Sequence, residues 1–307
     1  MEQVPPIIGE VAALAVGACV GSFAVTAAYR LPREISIVRP GSFCENCQRP
    51  IPWWANIPIF AFLASRGRCL MCGAPIPARH LGVELALALI ALYLFVTFPS
   101  GEAVARFVFV TALLICSLVD YDWRVIPNII TFVGVPVGFV LAALVMPEVG
   151  WRNSLIGIVI GGGFLFVTGF LYQLIRGEEG VGLGDVFLVA MVGAFMGWSG
   201  VLFTMFFGAL LGSAGGILVA LFGTPVATSA APPGARDMIS AEMPVAAGQG
   251  AAPAAIVADE PAADSREAPD EKVSLLKTAV PFGPFLSLAA GVYAVFQPLL
   301  MSWYLSH

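Results

Sequence analysis

The sequence predicts an all-α polytopic membrane protein with about eight transmembrane helices and a small cytoplasmic zinc-binding subdomain. Three observations carry that expectation. Of the 307 residues, 59% are hydrophobic and only 11% charged, whereas soluble domains carry about a quarter charged residues. Apolar runs approaching the ~20 residues that a bilayer-spanning helix needs recur along the chain. Two C-x-x-C pairs fall in one long polar loop. Net charge is -5, and the basic residues are scattered along one side of the expected spans. They form no groove for nucleic acid.

The first span covers residues 8–28. The stretch before it, MEQVPPIIGE, has no basic n-region, and no A-x-A site follows. It therefore reads as a retained span and not a cleaved signal peptide. Further spans are expected at 81–98, 105–120, 129–146, 154–175, 185–198, 201–222 and 282–303. With the N-terminus outside, 13 of the 15 Lys and Arg residues fall in inner loops; Arg106 and Arg152 fall outside. That asymmetry orients both termini outward. The chain thus divides into a first transmembrane helix (1–29), a cysteine-bearing cytoplasmic subdomain (30–80), a transmembrane core (81–223), a cytoplasmic loop (224–277) and a last helix (278–307). The 224–277 loop is rich in Ala, Pro, Gly and acidic residues and lacks a periodic apolar face. It is expected to be disordered. Cys19 and Cys116 lie inside apolar runs and read as small core fillers. No internal repeat is evident.

Cys44 and Cys47 are separated from Cys69 and Cys72 by 21 residues. Each C-x-x-C turn presents two thiolates, and two such turns close a tetrahedral site with no open position, as structural zinc requires. The loop lies on the expected cytoplasmic side, where disulfides are disfavoured. Redox activity is the other chemistry open to a C-x-x-C pair.

Acids inside or at the ends of spans are candidates for function. Asp120 ends the third expected span and Asp185 opens the sixth, so both face the same side and can meet at one depth. Two such carboxyls suit peptide hydrolysis: one takes a proton from water while the other donates to the carbonyl oxygen. Two close carboxyls cannot both ionise cheaply, so they share a proton. Gly182 and Gly184 precede Asp185 and could let a substrate backbone approach. Taken singly, Asp120 also fits a helix-end acid facing Arg124, and Asp185 fits an acid at a helix N-terminus. Asp122 could replace Asp120 or contact substrate.

The chain resembles the bacterial type IV prepilin peptidases, which are GxGD aspartyl proteases. The resemblance rests on Gly17-Ala-Cys-Val-Gly21-Ser22-Phe23 leading to Tyr29-Arg30-Leu31-Pro32, then the four cysteines, Asn56-Ile57-Pro58 and Val83-Glu84. It continues in Asp120-Tyr-Asp122-Trp-Arg-Val-Ile-Pro127-Asn128 and Gly182-Leu-Gly184-Asp185. It implies that Asp120 and Asp185 are the catalytic pair. It also implies cleavage of prepilin or pseudopilin precursors after the glycine that ends a short basic leader, in the bacterial inner membrane. The four-cysteine subdomain implies S-adenosylmethionine-dependent N-methylation of the new N-terminus. The alternative is a zinc-stabilised membrane transporter, or a pilus or secretion assembly scaffold, without hydrolysis. An intramembrane glutamate needs a partner, and Glu84 has two candidates: the methyl-donor site or an arginine of the cysteine subdomain. His80 reads as a helix-end residue, and Glu178 and Glu179 as loop acids near the proposed site.

Overall fold

The computed structural model describes residues 6–177, 182–222 and 282–305. The expected loop 224–277, and Glu178 with Glu179, lie outside the described residues. The chain forms α1 (Pro6–Arg30), α2 (Phe60–Ala64), α3 (Arg79–Thr97), α4 (Ser100–Trp123), α5 (Asn128–Val145), α6 (Gly150–Arg176), α7 (Leu183–Phe222) and α8 (Gly283–Leu305). Short 3-10 turns at Leu31–Arg33 and Trp53–Asn56 lie between α1 and α2. Among the described residues there is no strand, only two isolated bridges in the cysteine subdomain.

Seven helices, α1 and α3 to α8, are long and apolar enough to cross a membrane. The expected eighth span is inside α7. That helix runs 40 residues, twice the ~20 that one bilayer-spanning helix needs. It breaks at Gly197 (φ 69, ψ -172), at the end of the expected 185–198 span and just before the expected gap. One compact unit extends to Ala214 and includes α8; the turns of α7 from Gly215 onward belong to a second.

Small residues set the helix packing in the first unit. A methyl added at Gly17 would lie 2.5 Å from the Leu87 carbonyl oxygen, and one at Gly21 would lie 2.6 Å from Glu84 Cα. These two glycines, one turn apart, bring α1 against the backbone of α3. In the same way Gly157 of α6 abuts Gly193 of α7, where a methyl would meet the Gly193 oxygen at 2.5 Å. The Ser154 hydroxyl donates to Ala194 O at 2.7 Å beside it. The core centres on α4, where Phe109 stacks on Phe195 of α7 at 4.7 Å among Leu113, Cys116, Val119, Leu188 and Met191. Outward faces carry apolar side chains such as Phe132, Val140 and Leu144 on α5 and Val159 and Phe164 on α6, as a surface meeting lipid requires.

Arg106 is not in a loop, contrary to the sequence expectation. It lies in α4, 0% exposed, and donates to Glu102 Oε1 from Nε at 2.9 Å and Nη2 at 2.7 Å. It also donates to Ala294 O and Gln297 Oε1 of α8. The i,i+4 spacing places both charges on one helix face, and the α8 acceptors complete the satisfaction that a buried guanidinium needs.

Candidate functional site

α4 ends because Arg124 turns left-handed (φ 55), its N–H bonding Asp120 O. The chain then runs through Val125, Ile126 and Pro127 into α5. The residue before a proline is pushed away from helix, which keeps this linker extended. α7 opens at Gly182, whose carbonyl accepts from Asp185 N at 3.1 Å. These two helix ends lie together: a methyl on Gly184 would meet Ile126 Cβ at 2.9 Å and Asn128 Oδ1 at 3.4 Å. Gly184 is therefore glycine so that α7 can sit against the linker, a packing reason distinct from the expected substrate strip. Among the described residues Gly182 has no such neighbour, and an added methyl would come within reach only of Asp185 Oδ2, at 3.7 Å.

Asp120 and Asp185 are brought close enough to interact electrostatically. Asp120 is 6% exposed, and its Oδ2 is buried without a hydrogen-bond partner among the described residues. The first residue of α8 closes over it. A methyl on Gly283 would lie 2.5 Å from Asp120 Oδ2 and 3.1 Å from its Cγ. The Gly283 amide aims its dipole at the carboxylate without reaching hydrogen-bond geometry. Sequence reading missed Gly283; the available signal is the Gly283-Pro284 pair opening the last span, a helix-start pattern. Asp122 is occupied otherwise. Arg79, the first residue of α3, donates to both its oxygens at 3.0 and 2.7 Å, which ties α3 to the end of α4. Ser22, His80 and Glu84 face a separate cavity beneath the cysteine subdomain. Glu84 Oε2 accepts from Ile59 N at 2.7 Å, so its protein partner is a backbone amide and not an arginine.

The four cysteines converge. One ligand atom from each of Cys44, Cys47, Cys69 and Cys72 lies within 4.8 Å of all the others, and Cys44 Sγ is 3.9 Å from Cys72 Sγ. Four sulfurs at about 2.3 Å from a tetrahedral zinc are about 3.8 Å apart, so the set fits that ion. The two pairs are also copies of one turn. Cys44 N bonds Arg49 O and Gln48 N bonds Cys44 O; likewise Cys69 N bonds Ala74 O and Gly73 N bonds Cys69 O. Gln48 and Gly73, each following the second cysteine, both have positive φ, and each turn closes in a bridge, Phe43 to Pro50 and Arg68 to Pro75. The sequence does hold an internal repeat, C-x-x-C-x-x-P-I in residues 44–51 and 69–76, too short to stand out without the structure. Backbone donors favour thiolate in the second copy. The Ala74 amide and then the Asn46 side chain bring Cys72 down to about 6, and the Cys72 and Met71 amides lower Cys69. Cys44 is pushed up to about 11: the Cys47 amide pulls it down, but burial and the hydrogen bonds with Cys69 and Cys47 oppose it. Sulfurs this close do not ionise independently; a divalent cation lets all four do so.

Two family models match the chain: "Bacterial Peptidase A24 N-terminal domain" over residues 15–98 and "Type IV leader peptidase family" over residues 107–217. A prepilin leader peptidase/N-methyltransferase of Klebsiella pneumoniae is 32% identical over 59% of this chain and 82% of its own length. The chain belongs to the type IV leader peptidase family. A relative of the same name from Myxococcus xanthus is 34% identical over 67% of this chain, and one from Pseudomonas aeruginosa is 29% identical over 72%. The match spans 61% of the Myxococcus xanthus relative's length and 86% of the Pseudomonas aeruginosa relative's. No solved structure matches. In family terms the first matched segment holds most of α1, the cysteine subdomain and α3, while the second holds both aspartates.

Proposed function

We propose that this family member removes the leader peptide from type IV prepilin or pseudopilin precursors by aspartyl proteolysis and N-methylates the new N-terminal residue. The observation that carries the reading is the meeting of Asp120 and Asp185, from helices 65 positions apart in sequence, at one end of the bundle. The ionised carboxyl of the pair takes a proton from water as its oxygen attacks the scissile carbonyl carbon. The protonated carboxyl gives its proton to the carbonyl oxygen. Collapse of the tetrahedral adduct returns the hydroxyl proton to the carboxylate that gave it and breaks the C–N bond, and the leaving amine takes the proton that the base removed from water. Arg79 holds Asp122 outside this exchange, so Asp122 fixes α4 against α3.

Zinc is held by Cys44, Cys47, Cys69 and Cys72 in a structural role. S-adenosylmethionine, when bound, supplies a sulfonium methyl that the new amine's lone pair takes, the S–C bonding pair returning to sulfur and the amine releasing a proton. The chain sits in the bacterial inner membrane with both termini outside and the aspartate pair toward the cytoplasm. The split of Lys and Arg residues along the sequence supports that orientation.

The test is incubation of the purified full-length chain in detergent with a prepilin, reading the product by mass spectrometry. The expected product lacks the leader and gains one methyl group when S-adenosylmethionine is added. If Asp120→Asn and Asp185→Asn both still cleave, hydrolysis by this pair is wrong, and a transporter or assembly scaffold becomes the better reading.

A further inference from the structure

Four side-chain oxygens are buried without a hydrogen-bond partner among the described residues: Thr111 Oγ1, Asp120 Oδ2, Thr204 Oγ1 and Ser287 Oγ. A buried polar atom left alone is costly, so each needs an account. Two of the four are neighbours. Gly283 of α8 lies on Asp120, and Ser287 follows Gly283 by one helical turn. Further along α8, Ala294 and Gln297 accept the Arg106 bonds from the head of α4. The two helices are therefore antiparallel, and positions 283, 287, 290 and 294 form the stripe of α8 that faces α4. That stripe reads Gly, Ser, Ala, Ala. Small side chains let the helices approach closely, and the one hydroxyl among them is the one nearest the aspartate.

Helix geometry turns the two groups toward each other. Side chains lean toward the N-terminus of their own helix. In an antiparallel pair, Asp120 leans back along α4 toward the level of Ser287, and Ser287 leans back along α8 toward Asp120. Ser287 is 5% exposed, and its hydroxyl declines the local acceptor. Thr26, Thr168 and Ser213 each donate to the carbonyl four residues earlier, the usual outlet for a hydroxyl inside a helix. Ser287 does not, so its proton is available to a partner on the α4 side. A third group points to the same place. The Gly283 N–H, first in α8, has no acceptor within the helix and is aimed at the Asp120 carboxylate. A buried water takes about two to four polar partners, and these three groups supply them.

We propose that Ser287 is a positioning residue for the aspartate pair, holding the Asp120 carboxyl group through one buried water. The inference rests on the proteolysis reading. The water accepts from the Ser287 hydroxyl and the Gly283 N–H, and donates to Asp120 Oδ2. Its two lone pairs and one of its protons are thereby used, and Ser287 neither gains nor loses a proton in the reaction. The bridge fixes Oδ2 against α8 and leaves the other carboxyl oxygen for Asp185 and the attacking water. Without it the carboxyl group can turn about its Cβ–Cγ bond. Misorientation of that kind slows the chemical step while leaving substrate binding as it was.

The experiment measures prepilin cleavage by the full-length protein in detergent, with kcat and KM separated, for Ser287→Ala, Ser287→Thr and Ser287→Val. Ser287→Ala is expected to lose about tenfold in kcat with KM within about twofold of wild type, as for one lost hydrogen bond to a charged group. Thr and Val share a shape, but only Thr keeps the hydroxyl. Ser287→Thr should therefore exceed Ser287→Val by about tenfold in kcat. Infrared spectroscopy adds a readout that packing alone would not move: the carboxyl stretching band that is lost in Asp120→Asn should shift in Ser287→Ala. Zinc content and elution profile report folding. Should the two larger side chains not fit beside α4, Ser287→Ala and its infrared band decide the matter. Ser287→Ala at the wild-type kcat, a loss confined to KM, equal rates for folded Ser287→Thr and Ser287→Val, or an unmoved band would overturn the positioning role and leave the aspartyl reading standing. A wild type that does not cleave prepilin overturns the proteolysis reading and this role with it.

Discussion

Gly283 is the residue whose side chain, by being absent, shapes the aspartate pair. Gly283→Ala would place a methyl against Asp120 Oδ2 and Cγ, so either the carboxylate or the start of α8 must move. Displacements of about 1 Å at a reacting group can cost about 10²-fold in rate. Prepilin cleavage by Gly283→Ala should fall by about 10–100-fold while zinc content stays at the wild-type level. Asp122 offers the opposite expectation. Its pair with Arg79 is partly exposed, and such pairs contribute about 0–1 kcal/mol. Asp122→Asn should keep cleavage within a few-fold of wild type in the same assay; a loss as deep as that of Asp120→Asn would move Asp122 into the catalytic pair. Sequence alone left Asp120 and Asp122 open, because both sit at a span end beside Arg124. Two positions, about 200° of helix rotation, separate their surroundings: Asp120 points into the bundle, and Asp122 onto Arg79.

The proposed zinc matters to the cysteine subdomain because that subdomain lacks a core. The buried hydrophobic residues pass from Ala28 directly to Val83, with none between. Arg30, buried at the end of α1, donates to the carbonyls of Pro40 and Gly41 and ties down only the subdomain's start. Cys44→Ser, or treatment with a strong chelator, should remove most of the bound zinc measured by metal analysis, and should open residues 30–80 to limited proteolysis. Retention of zinc by Cys44→Ser would contradict the four-thiolate site. The convergence of the four cysteines was legible from C-x-x-C spacing alone. The duplicated turn was not, since its shared features beyond cysteine are two prolines, one isoleucine and backbone angles. α7 shows the same division: two apolar runs were visible on either side of residues 199–200, but the positive φ of Gly197 that joins them as one broken helix is a backbone property.

At the scale of the whole chain, the alternation of apolar runs and the skew of Lys and Arg were enough to place both aspartates at one end. Their convergence followed from span count and parity. Contacts between distant segments were not readable this way. Gly283 meets Asp120 across 163 positions, and Arg106 meets Gln297 across 191. Glu102 also hid the true start of α4, because a charge at its head shortened the apolar run to 105–120. Removing one partner of a buried pair costs about 3–5 kcal/mol. Arg106→Leu should therefore lower the thermal midpoint of the detergent-solubilised protein clearly, and a midpoint unchanged from wild type would contradict its role in tying α4 to α8. The two ends of the bundle thus carry different work, an ion-paired clamp at the head of α4 and paired carboxyls at its foot.

Whether those carboxyls act as one unit is tested most directly by comparing prepilin cleavage rates of Asp120→Asn, Asp185→Asn and the double variant. Each single change should lower the rate by about 10²–10⁴-fold, and the double variant should fall no further than the worse single one, because residues that act together are not additive. Losses that multiply in the double variant, or a single variant that cleaves at the wild-type rate, would contradict a shared-proton pair.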